Sequence, residues 1–149
     1  MNQTVDPADF NVLSSCFRSI AEEMSDIMLR AAYSSIVREA KDCSTCLMDA
    51  DARTVAQAEA IAVHMNSLAA AVPYFRQRYD ISATKPDEMY ITNNPYENGQ
   101  HLNDIILLMP VFHEERLVAF TGSICHHLEL GGAVAGSNAN ATEIFHEGI

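Results

Sequence analysis

Between Phe10 and Ala31, apolar residues recur at steps of three and four: Phe10, Leu13, Phe17, Ile20, Met24, Ile27, Met28 and Ala31. That period lines one side of an α-helix. Asp6-Pro7 just upstream supplies an N-cap and a proline at the first helical position, so a long amphipathic helix is predicted. Its other side carries Arg18, Glu22, Glu23, Asp26 and Arg30, a solvated or partner-facing surface. Cys43–Met48 and Thr54–Gln57 are short β-like runs, joined by Asp49–Arg53, which suits a hairpin loop. A second helix is predicted over Met65–Arg78, with Leu68, Val72 and Phe75 on one side, followed by a loop over Asp80–Glu88. Beyond Glu88 the character turns to β, with strands expected over Met89–Thr92, Ile105–Phe112 and Leu117–Ile124. The last two form a hairpin about the polar turn His113–Arg116. The expected architecture is α+β: a long N-terminal helix, a second helix, and a mixed or antiparallel sheet with Gly/His-rich loops at 93–104 and 125–149.

At 149 residues the chain has the size of a single domain, and with 48% hydrophobic against 19% charged residues it has the material for a core. Twenty acidic against nine basic residues give a net charge of −11, which argues against nucleic acid or an anionic membrane as partner. The N-terminus lacks the pattern of a secretory signal, and no run approaches about 18 apolar residues. A cytoplasmic chain is therefore expected, its cysteines Cys16, Cys43, Cys46 and Cys125 present as thiols. Cys43 and Cys46 form a C-x-x-C, but three residues along a strand place them on opposite faces, and a zinc knuckle would need a second ligand pair. Buried thiols are the reading. The C-terminal stretch, rich in Gly, Ala and Asn, reaches Ile149 without a closing helix or strand, so residues 1–149 read as one domain at the front of something longer.

Five of the six histidines, His101, His113, His126, His127 and His146, fall from position 101 onward. His101 and Asp104 form an H-x-x-D in the loop that feeds the strand from Ile105. In a regular strand they would face opposite ways, whereas a loop or helical turn lets both converge on one ion. Imidazole with carboxylate suits Zn, Mn or Fe(II) and leaves coordination positions for substrate or water. Antiparallel pairing of the two hairpin strands brings the end of the second beside the start of the first, and so His126-His127 beside His101 and Asp104. Period two allows only one of the two histidines to face that site. Two histidines and an aspartate on adjacent loops describe either a hydrogen-bonded polar cluster or a metal site. Gly131-Gly132 and Gly136-Ser137 fit an anion cradle or a plain flexible turn, His64 reads as structural, and Glu129 and Glu147 as general bases or surface acids.

Asn93-Asn-Pro-Tyr-Glu-Asn-Gly-Gln-His-Leu-Asn-Asp-Ile105 resembles the N-D-P-Y-x-G-G-T-H-L-P-D-I segment of the hydantoinase B/5-oxoprolinase family. Cys125-His-His-Leu-Glu-Leu-Gly-Gly132 is similar to its A-H-H-x-D-I-G-G, and His146-Glu-Gly-Ile149 to its Q-E-G-L. Asp6-Pro7, Glu23-Met24, Arg30–Ser34, Arg38-Glu39, Asp42–Ser44, Val55–Ala58 and Val63–Met65 agree in order and spacing. The resemblance covers the whole chain and only the N-terminal part of a much longer family subunit. It implies a hetero-oligomer with a hydantoinase A-like ATP-binding subunit that activates a small-molecule substrate by phosphorylation. The B-type subunit then completes opening of a hydantoin or 5-oxoproline ring, or carboxylation of acetone or acetophenone. Carried over by position, the resemblance makes His101, Asp104 and His126 ligands of a divalent metal (Mn, Zn or Fe), with His127 or Glu129 moving protons or orienting a ligand.

Four positions depart from the family pattern: Asn94 replaces an aspartate, Gln100 a threonine, Asn103 a proline and Glu129 an aspartate. The implied ligands survive while their surroundings change. Two functions follow as expectations: an ATP-dependent cyclic amide hydrolase subunit, incomplete alone, or a truncated, non-catalytic interaction module of the same family.

Overall fold

The structure is a computed structural model that describes residues 5–58, 61–137 and 140–148; residues 1–4, 59–60, 138–139 and 149 lie outside it. The chain runs α1 (Pro7–Ala31), α2 (Ser35–Arg38), β1 (Cys43–Asp49), β2 (Thr54–Gln57), α3 (Ala62–Arg78), β3 (Tyr90–Thr92), β4 (Asp104–His113) and β5 (Arg116–His126), with 3-10 turns at Ile81–Ala83 and Ile144–His146. The α+β expectation holds, and the sheet is antiparallel at every described pairing, in the order β2-β1-β5-β4-β3.

Asp6 caps α1, its carboxylate accepting from Ala8 N at 2.7 Å, and Pro7 follows at the first helical position. The second helix starts at Ala62, three residues before the predicted Met65, and continues through Pro73. Pro73 and Ala69 both lie on the exposed side, so the carbonyl that loses its partner there faces water. The one-turn helix α2 is too short to show a period in sequence.

α3 packs on one face of the sheet. Leu68, Val72 and Phe75 meet Cys46 and Met48 from β1, Ile106 and Leu108 from β4, and Phe120 and Ile124 from β5, forming the core. Gly122 lies in the middle of that face, where an added Cβ would stand 3.1 Å from the side chains of Cys46, Leu68 and Met48. The opposite face of β1 holds Thr45, whose hydroxyl donates to Ala21 O in α1 at 2.8 Å. Within α1 only Ala21 and Ser25 are buried. Phe10, Leu13, Phe17 and Ile20 are exposed, the first buried residue of the helix being Ala21. Ile91, Leu107 and Met109, on the sheet face away from α3, are exposed as well.

Candidate metal centre

The H-x-x-D segment folds as a tight turn, Asp104 N donating to His101 O at 3.2 Å, so a spacing that would split the pair in a strand brings both side chains together. Two bonds hold the loop ahead of it. Gln100 Nε2 donates to Ser67 Oγ in α3 at 3.1 Å, and Asn93 Nδ2 donates to Leu102 O at 3.0 Å. Asp104 then begins β4 directly opposite His126, the last residue of β5. On the other side His126 N donates to Asp42 O at 3.1 Å, so the end of β5 is fixed between two neighbours. His126 shares the core face with Phe120, Gly122 and Ile124, while His127 turns outward.

Three donor atoms therefore meet. His101 Nε2 lies 2.9 Å from Asp104 Oδ1, His126 Nδ1 lies 3.2 Å from the same oxygen, and the two nitrogens are 3.1 Å apart. Asp104 and His126 are buried and His101 is half-buried. An ion about 2.1 Å from three donors at right angles spaces them about 3.0 Å apart, against about 3.4 Å for a tetrahedron. The observed triangle matches the first, the two-histidine, one-carboxylate face of an octahedron. The chemistry of the set agrees. His101 Nδ1 pairs with Ser137 Oγ at 2.8 Å; when that nitrogen carries the proton, the Nε2 lone pair faces the carboxylate oxygen, a repulsion that a cation between them turns into attraction. These residues fit a divalent ion.

Beside the triad, Asp42, Ile61, Val63, His64, Gln100, His101 and Asp104 line a cavity of about 330 Å³. Asp42 reaches it because β1 pairs with β5, a contact between distant parts of the chain that local sequence pattern does not reveal. His64 is 3% exposed, with Nε2 3.5 Å from Asp42 Oδ1 and 3.8 Å from Asp104 Oδ2. Burial lowers its pKa below the usual value, against the pull of the Asp104 and Asp42 carboxylates.

Other candidates lie apart. His127 is exposed, and its backbone is clipped to Asn103: its N–H donates to Asn103 O and its carbonyl accepts from Asn103 Nδ2, both at 2.7 Å. Glu129 is exposed and its carboxylate accepts from Gly131 N at 2.6 Å. Among the described residues neither side chain joins the triad. Asn94 Oδ1 accepts from Tyr96 N at 3.0 Å, a local turn bond that an aspartate would make equally well. His146 pairs with Glu143 at 3.2 Å, and His113 sits at the far hairpin turn. Gly131 and Gly136 adopt positive φ, but the first spends its N–H on Glu129 and the second on Leu128 O, so the anion-cradle reading gives way to a turn.

The fold and the triad define an α+β module with a two-histidine, one-carboxylate cluster at one end of an antiparallel sheet. The hydantoinase B/oxoprolinase family model matches residues 6–149, and the chain belongs to that family. It is 37% identical over 133 residues to a 5-oxoprolinase of Dictyostelium discoideum, covering 89% of this chain and 10% of that protein. The crystal structure of an ATP-dependent caprolactamase from Pseudomonas jessenii superposes with a TM-score of 0.80 at 28% identity, over 99% of this chain and 25% of that one. The nucleotide-free structure of an acetone carboxylase shares the fold at TM-score 0.80 and 22% identity, over 89% of this chain and 18% of that one. The chain spans between about a tenth and a quarter of the length of the curated relatives first matched. Among the described residues no helix is long and apolar enough to cross a membrane.

Proposed function

We propose that residues 1–149 form a single domain, the metal-bearing part of a hydantoinase B/oxoprolinase-type subunit, and that it acts with an ATP-using, hydantoinase A-like partner to hydrolyse a cyclic amide in the cytoplasm. The observation that carries this reading is the convergence of His101, Asp104 and His126 within 3.2 Å of one another. Family membership, and relatives named for 5-oxoprolinase and caprolactamase activity, support the substrate class.

His101, Asp104 and His126 would hold the ion, with Asp42 a further carboxylate on the adjoining cavity wall. A divalent ion there supplies Lewis-acid polarisation of an amide or acyl-phosphate carbonyl. The chain's own groups do the rest. Ile61 and Val63 present an apolar wall to ring methylenes, and Gln100, whose amide nitrogen is bonded to Ser67, would turn its oxygen to accept from a ring N–H. Asp42 offers a proton acceptor in the same cavity. His127 and Glu129, both exposed, would move protons or orient a ligand only where a partner surface closes over them.

The test is metal analysis of the full chain and of His101→Ala and Asp104→Ala. One tightly held transition metal per chain, lost in both variants, supports the reading, as does ATP-dependent ring opening when the chain is combined with its ATP-using partner. Metal-free protein whose stability is unchanged in both variants points instead to a non-catalytic interaction module.

A further inference from the structure

His64 sits behind the triad, between two carboxylates, and nothing in the proposed chemistry has yet used it. Its Nε2 faces Asp42 Oδ1 at 3.5 Å and Asp104 Oδ2 at 3.8 Å, while its Nδ1 lies 3.1 Å from Ser44 Oγ. Carboxylate oxygens only accept, so the neutral ring facing them must carry its proton on Nε2. That leaves Nδ1 as an acceptor for the Ser44 hydroxyl 3.1 Å away, the nearer of the two acceptors in that hydroxyl's reach, Ile61 O lying at 3.5 Å. The alternative tautomer would aim the lone pair of a ring that is 3% exposed at two negative oxygens. The ring is fixed from both ends: Ser44 lies on β1, paired with Ile124 of β5, and His64 lies in the first turn of α3. The core around Leu68 and Val72 holds that helix in place.

We propose that His64 is a positioning residue for the candidate centre: its Nε2–H spans Asp42 and Asp104, fixing the angle at which both carboxylates present their other oxygens, and Ser44 selects the tautomer that does so. This rests on the reading of His101, Asp104 and His126 as ligands. The Asp104 carboxylate divides its labour: Oδ1 points to the two triad imidazoles and Oδ2 to His64. Such outer partners of a ligating carboxylate are worth about 10–100-fold in metal affinity.

The test is a competition titration of the metal-stripped full chain with Zn²⁺ and Mn²⁺, in parallel with thermal unfolding of the metal-free forms. The variants are His64→Leu, His64→Gln and Ser44→Ala. His64→Leu is expected to weaken binding by about 10–100-fold. His64→Gln, which can place an amide N–H near the carboxylates, recovers part of the loss, and Ser44→Ala loses less than His64→Leu. A merely structural histidine predicts the reverse pattern: a lower melting temperature in the metal-free variants with metal affinity within twofold of wild type. That pattern overturns the proposal and leaves the triad intact. Wild-type protein that takes up neither metal overturns the ligand assignment and this proposal together. Should His64→Leu fail to fold, Ser44→Ala and His64→Gln decide: unchanged affinity in both sinks it.

Discussion

Burial sets the chemistry of the cysteines one by one. It pushes the Cys46 and Cys125 thiols up to about 11 and raises Cys43 as well, with the Asp42 carboxylate adding to the effect at Cys43. Only the thiolate reacts, so a colorimetric thiol reagent at pH 8 is expected to modify the exposed Cys16 rapidly and the other three slowly under native conditions. Four equally fast thiols would contradict the burial. The same shift has a stability consequence. A thiol whose folded value is raised contributes stability that is fully present below the usual 9.0 and lost as pH rises through about 11, so Cys46→Ala should flatten the alkaline end of the stability curve. At this scale much of the site was legible. The hairpin alone sets Asp104 opposite His126, and the short spacing to His101 needs only a turn. Asp42 and His64 were not legible in this way. They arrive through the pairing of β1 with β5 and the docking of α3, which bring distant segments together and leave no local pattern.

Among the elements, the β4–β5 hairpin shows both a tight constraint and a relaxed one. At its middle Gly122 lets α3 approach, and Gly122→Val is expected to cost about 1–3 kcal/mol by forcing Leu68, Met48 and Cys46 aside, measured by denaturant unfolding. At its tip Glu114 and Glu115 hold φ of 46° and 65°, the conformation of a two-residue turn that favours Asn-Gly. The double change Glu114→Asn with Glu115→Gly should therefore raise stability by about 1 kcal/mol without altering metal uptake. The sequence shows the hairpin through its two apolar runs and polar turn, and the helices through their caps and period. The start of α3 is less legible, because Ala62 and Val63 precede the apolar stripe and Ile61 makes no side-chain cap bond. Sheet order is less legible still: β5 lies between β1 and β4, a long-range choice made by the core.

For the molecule as a whole, burial is uneven. α1 is anchored from Ala21 onward, and its first half carries Phe10, Leu13, Phe17 and Ile20 on an exposed stripe. Hydrogen exchange should be faster for amides at 10–20 than at 21–31, since the former have little tertiary packing to oppose local opening. Equal protection along the helix would show that something covers the stripe in solution. Period three-four in the sequence establishes that an apolar face exists; it does not establish what that face meets. Saturating the triad at a hundredfold excess of metal over its Kd should stabilise the fold by about 2.7 kcal/mol, a rise in Tm of about 5–10 °C in calorimetry.

The hairpin spans ten residues of β4 between Asp104 and the Glu114-Glu115 turn, about 30 Å of extended chain. A dye or a surface linker attached at that turn would leave the candidate site facing open solution, which makes the tip a handle for immobilising the protein in the metal-uptake tests proposed above.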